Sequence, residues 1–183
     1  MIIVEGPDNS GKTTLVASLV KDLKLKVLDS DIKGPPLDAQ DNYFRTKSLI
    51  LKALKHPRSN TITDRLSLIG ESIYGPICRG KDLWVPMFEK KMKMYTVLKT
   101  IDPFFIYCRP PKNIVLNMGS HQLKDYDTPE HITQVEKNKA LILKAYDNYF
   151  AFFRAYNFFQ YDYTQPEHYE TLIQRLKEYL KRW

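Results

Sequence analysis

No apolar stretch of this chain approaches the roughly 18 residues that a membrane-crossing helix needs, and among 183 residues only two are cysteines, Cys78 and Cys108. Two cysteines without metal-ligand spacing make neither a disulfide framework nor a zinc site, so both read as reduced packing residues. Internal repeats and low-complexity segments are also lacking. The first residues carry no basic segment followed by an apolar core and a cleavage site. The expectation is a cytoplasmic protein with no membrane partner.

What is present is ordinary for a soluble globular chain, with 43% hydrophobic and 27% charged residues. The length suits one domain, residues 1–183, with a substantial core. The net charge of +7 favours anionic partners, whether nucleotides or nucleic acid. Runs such as Glu89-Lys90-Lys91-Met92-Lys93-Met94 look like an exposed helix face. No basic–aromatic alternation of the kind that lines nucleic-acid grooves stands out, so no stable nucleic-acid complex is expected.

Periodicity gives an alternating order of strands and helices. Residues 2–4 (Ile2, Ile3, Val4) form a short buried-strand pattern, and residues 11–24 carry helical spacing through Leu15, Val16, Leu19 and Leu23. A second strand fits 26–28, followed by a loop over 29–40 containing Gly34-Pro35-Pro36. Helices are predicted at 42–56, 67–78, 85–100, 129–156 and 166–181, and strands at 61–63, 104–108 and 158–161. This order predicts an α/β, three-layer fold: about five parallel strands, helices on both faces, and a small lid near 117–130. In such sheets ligands sit beyond the carboxyl ends of the strands. Asp29 and Asp31, Asp64 and Arg65, and Arg109 all fall at predicted strand ends.

The first strand runs into Gly6-Pro7-Asp8-Asn9-Ser10-Gly11-Lys12-Thr13-Thr14, a Walker A pattern in a strand–loop–helix setting. Glycines allow the close backbone approach that a phosphate needs. Amides around Asn9, Ser10, Gly11, Lys12, Thr13 and Thr14 would point inward at the start of a helix, whose dipole adds positive potential. Lys12 would reach the β- and γ-phosphates, and the Thr13 hydroxyl would ligate Mg²⁺. The loop is therefore expected to hold ATP. Signalling and motor proteins with this loop usually place an acid after an apolar strand, but the fourth strand ends Tyr107-Cys108-Arg109. Only Asp64 is placed to hold the metal's water shell, with Arg65 beside it for a phosphate.

The loop preceded by Glu5, Asp64-Arg65 followed by a helix with Tyr74, and Asp102-Pro103 before the fourth strand together resemble thymidylate kinase. That family belongs to the P-loop deoxynucleotide and deoxynucleoside kinases. The stretch from Asp64-Arg65-Leu66-Ser67 through Gly70-Glu71-Ser72-Ile73-Tyr74-Gly75 is also similar to small phage-type nucleotide kinases. The resemblance implies that Asp8 receives the acceptor's sugar hydroxyl, Arg65 holds the acceptor's phosphate, and Asp64 sits near the metal. It also implies that Lys33 neutralises the transferring group and that Arg45 is a second clamp. Tyr43, Phe44 and Tyr74 could stack on a base, and Glu71 could bond its edge or the sugar; core packing and a surface helix pair explain these residues as well. Leu68, Ile69 and Ile73 could form a homodimer face or belong to the core of one chain.

One family feature is missing: an arginine in the first loop or in the lid. Charge developing between the β- and γ-phosphates still needs a cation. Arg109 is the leading candidate and a structural ion pair its alternative; Lys112, His121, Lys124 and the more distant Arg79 follow. A nucleoside acceptor would need a carboxylate base after the second strand, for which Asp29 and Asp31 are available. A monophosphate arrives ionised and needs positive charge and alignment, which Arg65, Lys33 and Arg45 fit better. The expected activity is ATP- and Mg²⁺-dependent phosphorylation of a deoxynucleoside monophosphate: dTMP, a 5-modified deoxyuridylate or another. The alternatives are a kinase for deoxynucleosides or polynucleotide 5′ ends, and a non-catalytic ATP-binding module.

Overall fold

The strand that opens the chain is hydrophobic on both faces because both are covered. In the computed structural model, which describes residues 1–29, 34–55, 60–117, 128–153 and 157–182, β1 (Ile2–Glu5) lies at the centre of a five-stranded sheet. Its neighbours are β3 (Thr61–Asp64) and β4 (Phe104–Cys108); β2 (Lys26–Val27) and β5 (Phe158–Tyr161) form the edges. All pairings are parallel, in the order β2-β3-β1-β4-β5.

Alternation along the strands splits the core in two. Ile3, Phe105 and Tyr107 join α2 (Ala39–Lys55), α3 (Ser67–Arg79), α4 (Phe88–Ile101) and α6 (Pro129–Phe153) on one face. Ile2, Val4, Ile62, Phe104 and Ile106 join α1 (Lys12–Leu23) and α7 (Pro166–Leu180) on the other. The expected three-layer architecture is therefore what the chain adopts, with every strand leading towards the loop-bearing edge. No helix among the described residues is long and apolar enough to cross a membrane.

Boundaries depart from the sequence expectation where side chains intervene. The helix after the second strand begins at Ala39, inside the predicted loop, because the Asp38 carboxylate accepts the Asp41 N–H at 2.8 Å. The predicted helix 85–100 splits into a 3₁₀ turn, Val85–Met87, and α4, with Pro86 in the turn. A six-residue helix that periodicity did not reveal, α5 (Lys112–Asn117), follows Pro110-Pro111. Residues 118–127, most of the predicted lid, lie outside the described residues, as do Asp31 and Lys33. Leu68, Ile69 and Ile73 are buried within this chain's own core, at 0–3% exposure, which is the second of the two alternatives the sequence left open for them.

Both cysteines are buried and free. Around Tyr107 the α6 face carries a stack of rings: Phe150 lies 4.7 Å and Tyr146 6.0 Å away, nearly parallel to it. Aromatic burial on this scale dominates core energetics. Phe105, at 1% exposure, packs in the same cluster. Phe105→Ala is expected to lower unfolding free energy by about 3–5 kcal/mol, read as a shift in the urea midpoint with unchanged slope.

Candidate active site

The phosphate loop is shaped by how closely it must pass the neighbouring strand. Gly6 has φ 150°, and a Cβ there would lie 2.6 Å from the Cys108 carbonyl oxygen and 2.7 Å from Ser10 Oγ. Only glycine lets the chain leave β1 this close to β4. Gly11, at φ 80°, precedes α1 in the left-handed region, and a Cβ there would sit 3.0 Å from the Tyr163 ring. Asn9 is also left-handed, at φ 62°. The loop thus turns its backbone towards the first turn of α1, with Ser10 and Lys12 buried and Thr13 and Thr14 at the surface.

Lys12 folds back over the loop. Its ammonium donates to the Pro7 carbonyl and, at 3.4 Å, to Ser10 Oγ. Burial lowers its pKa to about 8, and the nearby Arg65 guanidinium pushes in the same direction, against Asp8 and Asp64. Lys12 and Arg65 therefore lie close together, with the Asp8 and Asp64 carboxylates as the opposing charges.

Parallel pairing of β1 with β3 sets Val4 opposite Asp64, which brings the next two candidate residues to the loop. Thr13 Oγ1 donates to Asp64 Oδ2 at 2.9 Å. Arg65 follows in an unusual pose for a non-glycine residue, φ 72°. Its guanidinium pairs with the Asp8 carboxylate and lies 5.3 Å from the centre of the Tyr74 ring. The Tyr74 hydroxyl accepts the Asp8 N–H at 3.0 Å. Asp8, Arg65 and Tyr74 therefore form one unit against the loop. Beside it, Asp8, Tyr74, Val115, Val135 and Ile142 line a small, mostly apolar cavity between α3, α5 and α6.

Other residues singled out in the sequence are engaged elsewhere. Arg45 is buried; it grips Asp41 through two contacts, at 2.9 and 2.7 Å, and donates to the Gly34 carbonyl at 2.7 Å. It braces the loop ahead of α2. Glu71 is paired with Arg79, and burial raises its pKa despite that partner. The Arg109 fork is occupied by Asp147 of α6, with Nε–Oδ1 2.7 Å and Nη2–Oδ2 3.0 Å. Tyr107 donates to the same carboxylate at 2.7 Å. Tyr43 lies under Lys90, 4.9 Å from its ring centre, while Phe44 is half exposed on the outer face of α2 with Lys47 and Leu51. Neither ring joins the Asp8–Arg65–Tyr74 unit among the contacts described.

One residue beside the site was named in the sequence only as the acid preceding the loop, with no role assigned to it. Glu5, the last residue of β1, is completely buried, yet its Oε1 accepts the Leu66 N–H at 2.6 Å and its Oε2 accepts the Tyr146 hydroxyl at 3.3 Å. Burial raises its pKa to about 7, opposed by the Leu66 bond, Arg65 and Lys12. The available signal was an acid ending an otherwise wholly apolar strand pattern.

No protein-family model matches the chain, and no curated protein matches it. Among solved structures it is similar to the YorR protein from Bacillus subtilis in complex with phosphorylated GDP, at 19% identity and a TM-score of 0.64, covering 96% of this chain and 95% of that one. It is also similar to deoxyadenosine kinase from M. mycoides with bound dATP, at 14% identity and a TM-score of 0.57, covering 96% and 98%. The same enzyme with products dCMP and a flexible dCDP gives 16% identity and a TM-score of 0.55, covering 97% and 98%. At these identities the likeness is one of fold, and the chain has the P-loop fold that these proteins share.

Glu5 makes stability depend on pH. Its ordinary value of 4.5 rises to about 7 on folding, so its contribution is largest below pH 4.5 and declines until the folded carboxyl has ionised above pH 7. That displacement corresponds to about 3 kcal/mol. Glu5→Gln, neutral throughout, is expected to gain on the wild type as pH rises from 5 to 8 in urea titrations. Parallel pH curves for the two proteins would remove Glu5 as the source.

Proposed function

We propose that this protein is an ATP- and Mg²⁺-dependent nucleotide kinase of the thymidylate kinase-like type, converting dTMP or a related, 5-modified deoxynucleoside monophosphate to its diphosphate. Arg65 carries this reading: a guanidinium beside the phosphate loop, already holding an anion, the Asp8 carboxylate. A planar fork of this kind suits a phosphate dianion. The acceptor's phosphate would take over part of the role that the Asp8 oxygens play, leaving Asp8 to meet the sugar hydroxyl. The fold shared with a deoxyadenosine kinase that binds dATP and dCMP supports a nucleotide as ligand.

The donor side follows from the loop. Amides of Asn9, Ser10, Gly11, Lys12, Thr13 and Thr14 would hold the ATP phosphates, whose oxygens replace Pro7 and Ser10 as partners of the Lys12 ammonium. The oxygen donors Thr13 Oγ1 and Asp64, in contact at 2.9 Å, suit Mg²⁺, which favours few protein oxygens together with phosphate and water. Bound there, the ion would offset charge on the transferring phosphoryl group. Lys12 and Arg65 provide further positive charge on either side. Arg109 contributes to transfer only if its fork exchanges Asp147 for phosphate, as Arg45 must exchange Asp41 to act as a second clamp. Lys33 remains a proposed third cation, and Glu71 and Tyr74 remain proposed contacts to the acceptor.

A second reading, a deoxynucleoside kinase, is favoured by the likeness to deoxyadenosine kinase. It requires a base, and Asp29 after β2 is the described candidate. Purified protein incubated with ATP, Mg²⁺ and each deoxynucleoside or deoxynucleoside monophosphate separates the two. Diphosphate formation from monophosphates is expected; turnover restricted to nucleosides or 5′-hydroxyl DNA ends would overturn the reading. Arg65→Ala should raise the acceptor's half-saturation concentration about tenfold or more, in line with loss of a charged hydrogen-bonding partner, while ATP binding stays within about twofold. Unchanged acceptor kinetics would remove Arg65 from the site.

A further inference from the structure

Glu5 is an anomaly of its strand. Met1, Ile2, Ile3 and Val4 are buried apolar residues, and a fifth apolar residue would avoid the cost of a wholly buried carboxyl. Its two described hydrogen-bond partners are both protein groups, the Leu66 N–H and the Tyr146 hydroxyl. The Arg65 and Lys12 charges lie nearby as well, but the shorter and more specific contact is the one to the backbone.

That contact holds the peptide that follows Arg65. A non-glycine residue at φ 72° is strained and persists only where its surroundings overdetermine it. Both peptides flanking the Arg65 Cα are fastened. The Arg65 N–H donates to the Val4 carbonyl at 2.9 Å, and its own carbonyl accepts from Thr63 Oγ1 at 3.1 Å. The Leu66 N–H, on that same second peptide, is the group that Glu5 holds at 2.6 Å. Consecutive residues of β1, Val4 and Glu5, thus grip the backbone on the two sides of Arg65. In the resulting pose its guanidinium crosses the Tyr74 ring and reaches Asp8 in the phosphate loop.

We propose that Glu5 is a positioning residue, whose carboxyl fastens the Leu66 amide and thereby keeps Arg65 left-handed and aimed at the face of the loop where the acceptor's phosphate binds. This rests on Arg65 being the acceptor clamp. It assigns the acid before the glycine loop to the acceptor side of the site, although its place in the sequence puts it next to the donor side.

The test compares Glu5→Ala, Glu5→Gln, Arg65→Ala and the double variant Glu5→Ala/Arg65→Ala, measuring acceptor half-saturation, the ATP dissociation constant and the urea midpoint for each. Glu5→Ala is expected to raise the acceptor constant about tenfold and to leave ATP binding within about twofold. Glu5→Gln keeps a carbonyl oxygen for the Leu66 N–H and should restore the acceptor constant to within about threefold of wild type. In the Arg65→Ala background, Glu5→Ala should add less than about twofold, because the two act as one unit. If Glu5→Ala does not fold, Glu5→Asp, whose carboxyl is one methylene shorter, replaces it with the same expected split between acceptor and ATP. A full tenfold effect added to an impaired Arg65→Ala, or equal weakening of ATP and acceptor, overturns the positioning role alone. An Arg65→Ala protein with normal acceptor kinetics overturns the clamp and this inference together.

Discussion

The site depends on one register. Parallel pairing of β1 with β3 places Val4 beside Asp64, and the chain on either side of that pair supplies the loop, the Asp64 carboxylate and the Arg65 guanidinium. Sliding the register by one residue would reverse which side chains of β3 face each layer. Ile62 would leave the α1–α7 face and Asp64 would lose Thr13. The buried apolar set on both sides of the sheet therefore enforces the register, and the register enforces the site. Core packing and chemistry are linked here through backbone hydrogen bonds rather than through shared side chains.

Charge at that junction is mixed in sign. Lys12 and Arg65 lie near each other, with Asp8, Asp64 and Glu5 as local carboxylates. Burial weakens the charged form of both Lys12 and Glu5. The loop has its turn conformations at Gly6, Asn9 and Gly11. Preformed polar geometry of this kind is where catalytic electrostatics gain their strength.

Two other arginines brace the fold. Arg45 ties α2 to the loop before it, and Arg109 ties the end of β4 to Asp147 of α6. Both guanidinium groups make two-point contacts with carboxylates, which have well-defined geometry and resist exchange more than a single exposed pair would. The contrast with Arg65 is informative. Its carboxylate partner, Asp8, belongs to the loop between β1 and α1.

How much of this was legible before the fold was known follows from which interactions are local. The Walker A spacing, the alternation of strands and helices, and the strand ends at Asp64 and Cys108 are written in short-range pattern, because glycine turns, buried strands and amphipathic helices each leave a periodic or compositional mark. The Asp38 cap, the 3₁₀ turn at Pro86 and the short α5 shifted boundaries through contacts too small to set a period. The partners of Arg45, Arg65 and Arg109 were beyond sequence reasoning, since an arginine that pairs with a loop carboxylate and one that pairs with a helix carboxylate look alike in one dimension. Glu5 carried a visible anomaly but no visible purpose: its meaning required Leu66, sixty-one positions away, to be brought beside it. By itself the sequence determined the phosphate loop and the layered sheet, through local backbone preference and hydrophobic alternation. Only tertiary structure decided which charges meet, because long-range parallel pairing, rather than any local signal, selects the partners of a buried ion.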